Sequence, residues 1–329
     1  MSNKKKVLIA QSFHPDGMAL LEARDDIEMI ITEDLSEDNL TKLAGGVHAI
    51  TTRNAIISGR IMAEAPDLQI VSRHGVGTDN IDFTHANPRK IPVAIAATAN
   101  AVSVAEHVFM FLLALAKEAK WYDAEMRNDN FGCRLSMKAV DVQQRTLLIL
   151  GVGRIGRRVA KIAKAFNMRV VGADPYLSED EMAMRDCEPV RDWRAILPNV
   201  DFVTIHTPKT PETTGILNTV ELDALPNHAI VINCARGGLI DEGALYNALT
   251  QNKIRAAGVD VFDVEPTTPD NKLLQLENLL MSPHSAATTQ EGARRMGISC
   301  AQSVLDYFDG KLDPDFVFNA KEISYQQGQ

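Results

Sequence analysis

Cysteine, long apolar runs and positive charge are all scarce in this chain of 329 residues, and each scarcity excludes a class of protein. Cys133, Cys187, Cys234 and Cys300 are scattered, without the paired spacing of a metal site or the density of a disulfide scaffold. That usage fits reduced thiols in a cytoplasmic setting, and no metal is expected. The longest apolar run, VFMFLLALA (Val108–Ala116), is far short of the ~20 residues that span a bilayer, so no membrane partner is expected. The basic start MSNKKK is followed by only the four apolar residues VLIA, too few for a secretory signal. A formal net charge of -9 argues against a nucleic-acid partner, which needs a basic face.

What is present is the make-up of a soluble chain: 45% hydrophobic and 23% charged residues, in a length that suits two domains. The first hundred residues alternate strand and helix patterns. KVLIA, IEMIIT, HAITT, QIVSR and VAIAAT read as strands, with helical stretches such as PDGMALLEAR and SEDNLTKLAG between them. Short apolar strands alternating with helices predict a parallel sheet covered on both faces. A single long helix is predicted over Ser103–Arg127, apolar on nearly all sides in its first half. A second alternating run opens at TLLILGVGRIGRRVA, and a helix near Thr288–Gly310 returns the chain to the first lobe. No solenoid repeat or low-complexity stretch interrupts this plan.

The first chemical signal is Gly151-Val-Gly153-Arg154-Ile155-Gly156, with a buried strand before it and a helix after it. Alone, such a hexapeptide is equally a glycine-rich turn; its context points to a dinucleotide. Gly151 permits the tight turn, Gly153 lets a pyrophosphate approach the backbone, and Gly156 lets helix and strand pack closely. Asp174 ends the next strand about 20 residues on, where a carboxylate accepts from ribose hydroxyls and repels a 2′-phosphate. NAD is therefore favoured over NADP, the alternative for Asp174 being a cap or a surface acid. A second signal is Arg236 in AIVINCARGGLIDEGAL, at the carboxyl end of a buried strand where a guanidinium needs a partner.

Together, the blocks SRHGVGTDNID, NAVSVAEH, LGVGRIGRRVA, TIHTPKTPETTGILN, VINCARGGLIDEGAL, GVDVFDVEP and SPHSAATTQE resemble the NAD-dependent D-2-hydroxyacid dehydrogenases. That family includes phosphoglycerate dehydrogenases and hydroxypyruvate reductases. The resemblance implies an α/β fold of two doubly wound parallel-sheet lobes. A Rossmann NAD-binding domain (103–291) would be inserted in a flavodoxin-like substrate domain (1–102 plus 292–329), with the active site in the interdomain cleft. It further implies that Arg236, Glu265 and His284 are catalytic, as the chemistry allows. A 2-keto acid takes a hydride at carbon and a proton at oxygen. His284 suits the proton, Glu265 orients the imidazole, and Arg236 suits the substrate carboxylate. Each has a structural alternative: for Arg236 an ion pair with Asp241 or Glu242, for His284 a capped surface histidine, and for Glu265 a solvated charge.

By the same resemblance Arg154 and Ile155 contact the pyrophosphate, and Thr207, Cys234, Ala235, Ala286 and Ala287 face the cofactor, with Cys234 no nucleophile. Asp260 accepts from the nicotinamide carboxamide or stabilises a turn. Val76 and Gly77 receive the substrate carboxylate, Val76 also facing the cofactor, and Asn100 organises the substrate side. Arg53 marks where phosphoglycerate dehydrogenases place a cation for the distal phosphate; His74 and Arg134 are further candidates to tune the pocket. A family-type homodimer is expected through the Ser103–Arg127 helix and the segment after it. The expected reaction is the interconversion of a small 2-keto acid and its D-2-hydroxy acid, of the hydroxypyruvate/glyoxylate or 3-phosphoglycerate type, without feedback through a C-terminal regulatory extension. Phosphite or formate dehydrogenases share the superfamily, although formate enzymes pair their histidine with glutamine rather than glutamate. An NADH-sensing, corepressor-like binding protein is the reading from another class.

Overall fold

Strands buried on both faces can be satisfied only by helices above and below, and the computed structural model of residues 4–328 shows that arrangement twice. The first unit runs through Asn100 and resumes at Thr288; the second is Ala101–Ala287. Among the described residues the first unit has strands β1 (Lys5–Ala10), β2 (Ile27–Thr32), β3 (Ala49–Thr52), β4 (Ile70–Arg73) and β5 (Val93–Ile95). All pair in parallel in the order β2-β1-β3-β4-β5, the flavodoxin-like order. One face of this sheet packs Leu8, Ile50 and Val71 against Leu40, Ile61 and Met62. The other packs Val7, Ile9 and Ile70 against Leu21, Ala301 and Val304.

Local chemistry sets the helix starts. Ser36, Ser58, Asp82 and Thr289 each accept a backbone N–H of the first turn that follows them. The helix Gln290–Phe308 is fixed to β4 by a reciprocal pair, Ser72 Oγ to the Cys300 carbonyl at 2.9 Å and Cys300 Sγ to the Ser72 carbonyl at 3.5 Å. Buried Asn319 closes the β5 edge, accepting from Val93 N (2.9 Å) and donating to the Ile91 carbonyl (3.0 Å).

Among the described residues of the second unit the strands are β6 (Thr146–Leu150), β7 (Arg169–Ala173), β8 (Glu188–Pro189), β9 (Phe202–Ile205), β10 (Ile230–Asn233), β11 (Ala256–Val259) and β12 (Leu279–Met281). Their order is β8-β7-β6-β9-β10-β11-β12, again wholly parallel. Counted from β6 this is 3-2-1-4-5-6 with one further strand, the Rossmann order, and it reverses between β6 and β9. The short strand β8 has no clear sequence signal; Pro189 limits it to an edge.

The predicted single helix over Ser103–Arg127 is corrected to two, Ala101–Ala116 and Ala119–Arg127. Glu118 between them is left-handed at φ 54°, a turn the local sequence does not announce. Distant residues impose it: Val140 N takes the Ala116 carbonyl at 2.8 Å, and Arg255 pairs with Glu118 at 2.6 Å. The apolar first helix packs Val104, Val108, Phe111 and Leu112 with Leu147, Ile149 and Ile232 of the second sheet.

Candidate active site

The glycine turn joins β6 to the helix Gly156–Ala165 at the reversal point of the second sheet. Gly151 has φ +90°, and a Cβ there would stand 2.9 Å from the His206 backbone. A Cβ on Gly156 would lie 2.1 Å from the Gly151 carbonyl, whereas one on Gly153 would meet nothing within 4 Å. Two of the glycines thus close the turn, and the third leaves the backbone open to approach. Arg154 and Ile155 complete the turn. Asp174, just after β7, braces it by accepting from Val152 N at 2.9 Å and Tyr176 N at 3.0 Å. Across the reversal point, Thr207 Oγ1 and His206 Nδ1 are buried without a hydrogen-bond partner. His206 stays neutral, because burial pushes its pKa down to about 3; its Nε2 lies 3.0 Å from Thr204 Oγ1.

Arg236, Glu265 and His284 all follow the carboxyl ends of the adjacent strands β10, β11 and β12. His284 Nδ1 donates to Glu265 Oε2 at 2.7 Å, while Glu265 Oε1 accepts from Phe262 N at 2.9 Å. With Nδ1 held by the carboxylate, Nε2 is the ring nitrogen left for proton exchange, on a side chain half exposed. Arg236 Nη1 donates to the Ala235 carbonyl at 2.7 Å. Of the neighbouring acids, Asp241 caps its own helix through Ala244 N, and Glu242 accepts from Asp263 N and Asn271.

Asp260 is only 1% exposed and accepts from Ser282 Oγ (2.5 Å), Ser285 N (2.8 Å) and Ala286 N (2.9 Å). Its carboxylate therefore fixes the loop that carries His284, the turn-stabilising alternative. Ala286 is buried and Ala287 half-buried at the end of that loop. The Cys234 thiol is pushed up by burial and by the nearby Asp260 charge, so it stays protonated.

Sequence reasoning missed Asn233 and Glu242. Buried Asn233 accepts from Ala235 N at 3.0 Å and donates to the Arg236 carbonyl at 2.9 Å, setting the turn that presents Arg236. The available signal was an amide ending the apolar strand AIVIN. Glu242 holds the Glu265 loop through Asp263 and had no signal beyond a helix-start acid.

The remaining candidates lie elsewhere. Half-buried Arg53 follows β3 of the first unit, Val76 and Gly77 follow β4, and Asn100 ends that unit's leading segment. His74 is 3% exposed, its ring 5.9 Å from that of Phe13. Burial first, then the charges of Arg53 and Arg73, lower its pKa to about 4. Arg134 belongs to the second unit, where it covers the Phe131 ring at 4.9 Å.

A Rossmann-ordered sheet with a glycine turn at its reversal point and an Arg, Glu and His at its carboxyl edge defines a dinucleotide-binding unit equipped for acid–base chemistry. The chain belongs to the D-isomer specific 2-hydroxyacid dehydrogenase family, whose NAD-binding domain matches residues 109–286. It is 35% identical over 312 residues to the D-3-phosphoglycerate dehydrogenase of Methanocaldococcus jannaschii, covering 95% of this chain and 59% of that protein. The D-3-phosphoglycerate dehydrogenase of Mycobacterium bovis is 37% identical over 312 residues, covering 94% and 58%. The chain thus spans about three fifths of the length of these curated relatives. Among solved structures, D-lactate dehydrogenase from Aquifex aeolicus complexed with NAD and lactic acid superposes with a TM-score of 0.81 at 26% identity, covering 93% of this chain and 96% of that one. The cofactor of the domain is NAD, and the residues fit it. The open backbone at Gly153, the orphaned hydroxyl of Thr207 and the carboxylate of Asp174 suit phosphate, polar and ribose groups respectively.

Proposed function

We propose that the chain is an NAD-dependent oxidoreductase interconverting a small 2-keto acid and its D-2-hydroxy acid. The observation that carries this reading is the 2.7 Å His284–Glu265 pair at the carboxyl edge of the sheet that bears the glycine turn. Bound NADH supplies the hydride. His284 Nε2 delivers the proton to the carbonyl oxygen and recovers it in the reverse direction. Glu265 holds the ring in one tautomer and stabilises its cationic form, and Arg236 binds the substrate carboxylate. Cys234 takes no nucleophilic part.

The substrate is proposed to be of the hydroxypyruvate/glyoxylate or 3-phosphoglycerate type, Arg53 favouring an anionic tail. Orphaned Gln11 Oε1 supports a polar ligand at the β1/β3 reversal point, where Arg53 also lies. Val76, Gly77 and Asn100 are carried forward as substrate contacts and Val76 as a cofactor contact, as is a cytoplasmic location for a chain whose four cysteines are free and buried. A homodimer is proposed through the segment holding Leu135 and Met137, which are 72% and 87% exposed. A monomeric mass at micromolar concentration would refute it.

The test of the activity is NADH oxidation with hydroxypyruvate, glyoxylate, 3-phosphohydroxypyruvate, pyruvate and bulkier 2-keto acids. Turnover of one of them, reduced about 10²- to 10⁴-fold in His284→Ala, supports the reading. Tight NADH binding with no turnover on the whole panel overturns it in favour of a sensor.

A further inference from the structure

His284 is a non-glycine residue at φ 50°, a left-handed conformation that L side chains adopt only when their surroundings hold them there. Its own N–H donates to the Asp260 carbonyl at 2.7 Å, and the Asp260 carboxylate takes the next two N–H groups, of Ser285 and Ala286. The conformation of the loop therefore depends on how that carboxylate is aimed. The Asp260 backbone is itself anchored to β10, its N–H donating to the Asn233 carbonyl at 2.9 Å, but that link does not aim the carboxylate.

Two side chains complete the arrangement. Ser282 Oγ lies 2.5 Å from Asp260 Oδ1 and 2.8 Å from His107 Nε2. A carboxylate only accepts, so the serine hydroxyl donates to Asp260 and must accept from the imidazole. His107 is thereby the Nε2–H tautomer, and its donors and acceptors run in one direction, from His107 through Ser282 to Asp260. Such chains polarise and strengthen one another. The ring is held edge-on against Phe111, with centroids 4.7 Å apart at 83°. His107 lies on the buried helix Ala101–Ala116, so the loop is tied to a rigid element.

We propose that His107 and Ser282 are positioning residues for the proton-transferring His284, acting through the carboxylate of Asp260. The inference rests on the reading of His284 given above, and it adds two residues that never touch the reacting atoms.

The experiment compares His107→Phe, Ser282→Ala, their double variant and Ser282→Thr in the whole chain. Phenylalanine keeps the packing on Phe111 and removes only the donor. Amide hydrogen exchange at Ser285 and Ala286 should quicken about tenfold in the first two variants, with β10 amides unchanged, as a local opening requires. With the keto acid, kcat should fall about tenfold while KM stays within about twofold, the signature of lost geometry rather than lost binding. The double variant should be no worse than either single one, because one chain has been cut twice. Ser282→Thr should restore both readouts. Unchanged exchange in His107→Phe, additive losses in the double variant, or faster exchange throughout the second unit would each overturn the proposal. The exchange arm needs no turnover, so a wild type inactive on every keto acid would defeat the catalytic reading without touching the clamp.

Discussion

At the carboxyl edge of the second sheet, Asn233, Asp260 and Glu265 turn their side chains back onto neighbouring backbone N–H groups and hold the turns around Arg236 and His284. At the carboxyl edge of the first sheet, Gln11 Oε1, Thr51 Oγ1 and both ring nitrogens of His74 are buried with no hydrogen-bond partner. The two sheets share parallel pairing, helix-covered faces and N-capped helices, yet their carboxyl edges differ in how these polar groups are used. One uses them to fix loop geometry; the other carries them as unpaired groups, each worth about 1–3 kcal/mol of lost stability. Side-chain-to-backbone bracing thus surrounds the acid–base pair. The second unit's own orphans are His206 Nδ1 and Thr207 Oγ1 at the glycine turn and Thr267 Oγ1, two residues beyond Glu265.

The comparison breaks most visibly at Asp260. Asp260→Ala strands the three donors that this carboxylate receives, and should lower stability by about 3 kcal/mol or more in denaturant unfolding. A loss under about 1 kcal/mol would mean that water readily replaces the carboxylate.

Both units should respond to acid, the second through His206, whose pKa burial lowers to about 3, and the first through His74. His74 has a folded-state pKa near 4, below its unfolded value of about 6.5, so the unfolded chain binds the extra proton. Its contribution is complete above about pH 6.5 and is lost as pH falls towards 4, by about 3 kcal/mol. His74→Phe should flatten that slope in unfolding curves taken across the window. An unchanged slope would assign the acid sensitivity to other groups.

A smaller effect belongs to Asp174. Asp174→Ala should reduce preference for NAD over NADP by about tenfold in KM ratios, and slacken the turn that it braces at Val152. Unchanged preference would leave Asp174 with the bracing role alone. Smallest of all is Thr51→Val in the first unit. Removing an unpaired hydroxyl in a nearly isosteric swap should stabilise by about 1 kcal/mol, read as a raised denaturation midpoint. The equivalent removal of a bonded group, Asn233→Leu in the second unit, should do the reverse.

Much of this molecule was legible before any coordinates. The β2 strand Ile27–Thr32 has the predicted bounds, and the strand–glycine–helix turn appears where its local signal stands. These features are decided by neighbours within a few residues, so periodicity and φ preference suffice to read them. The resemblance to a family pointed to Arg236, Glu265 and His284 but conveyed none of their geometry.

Tertiary structure alone decided what depends on residues far apart in the chain. The helix predicted over Ser103–Arg127 is divided at Glu118 because Arg255 and Val140 offer partners there. Asp260 holds the His284 loop, and His74 goes unpaired, because of what the fold brings beside each of them. A hydrogen bond needs its two groups within about 3 Å, and the chain order of a parallel sheet says little about which side chains meet at that range. The sequence by itself determined the elements and the kinds of chemistry available; tertiary packing decided which polar groups would be satisfied, and so which loops would be held still.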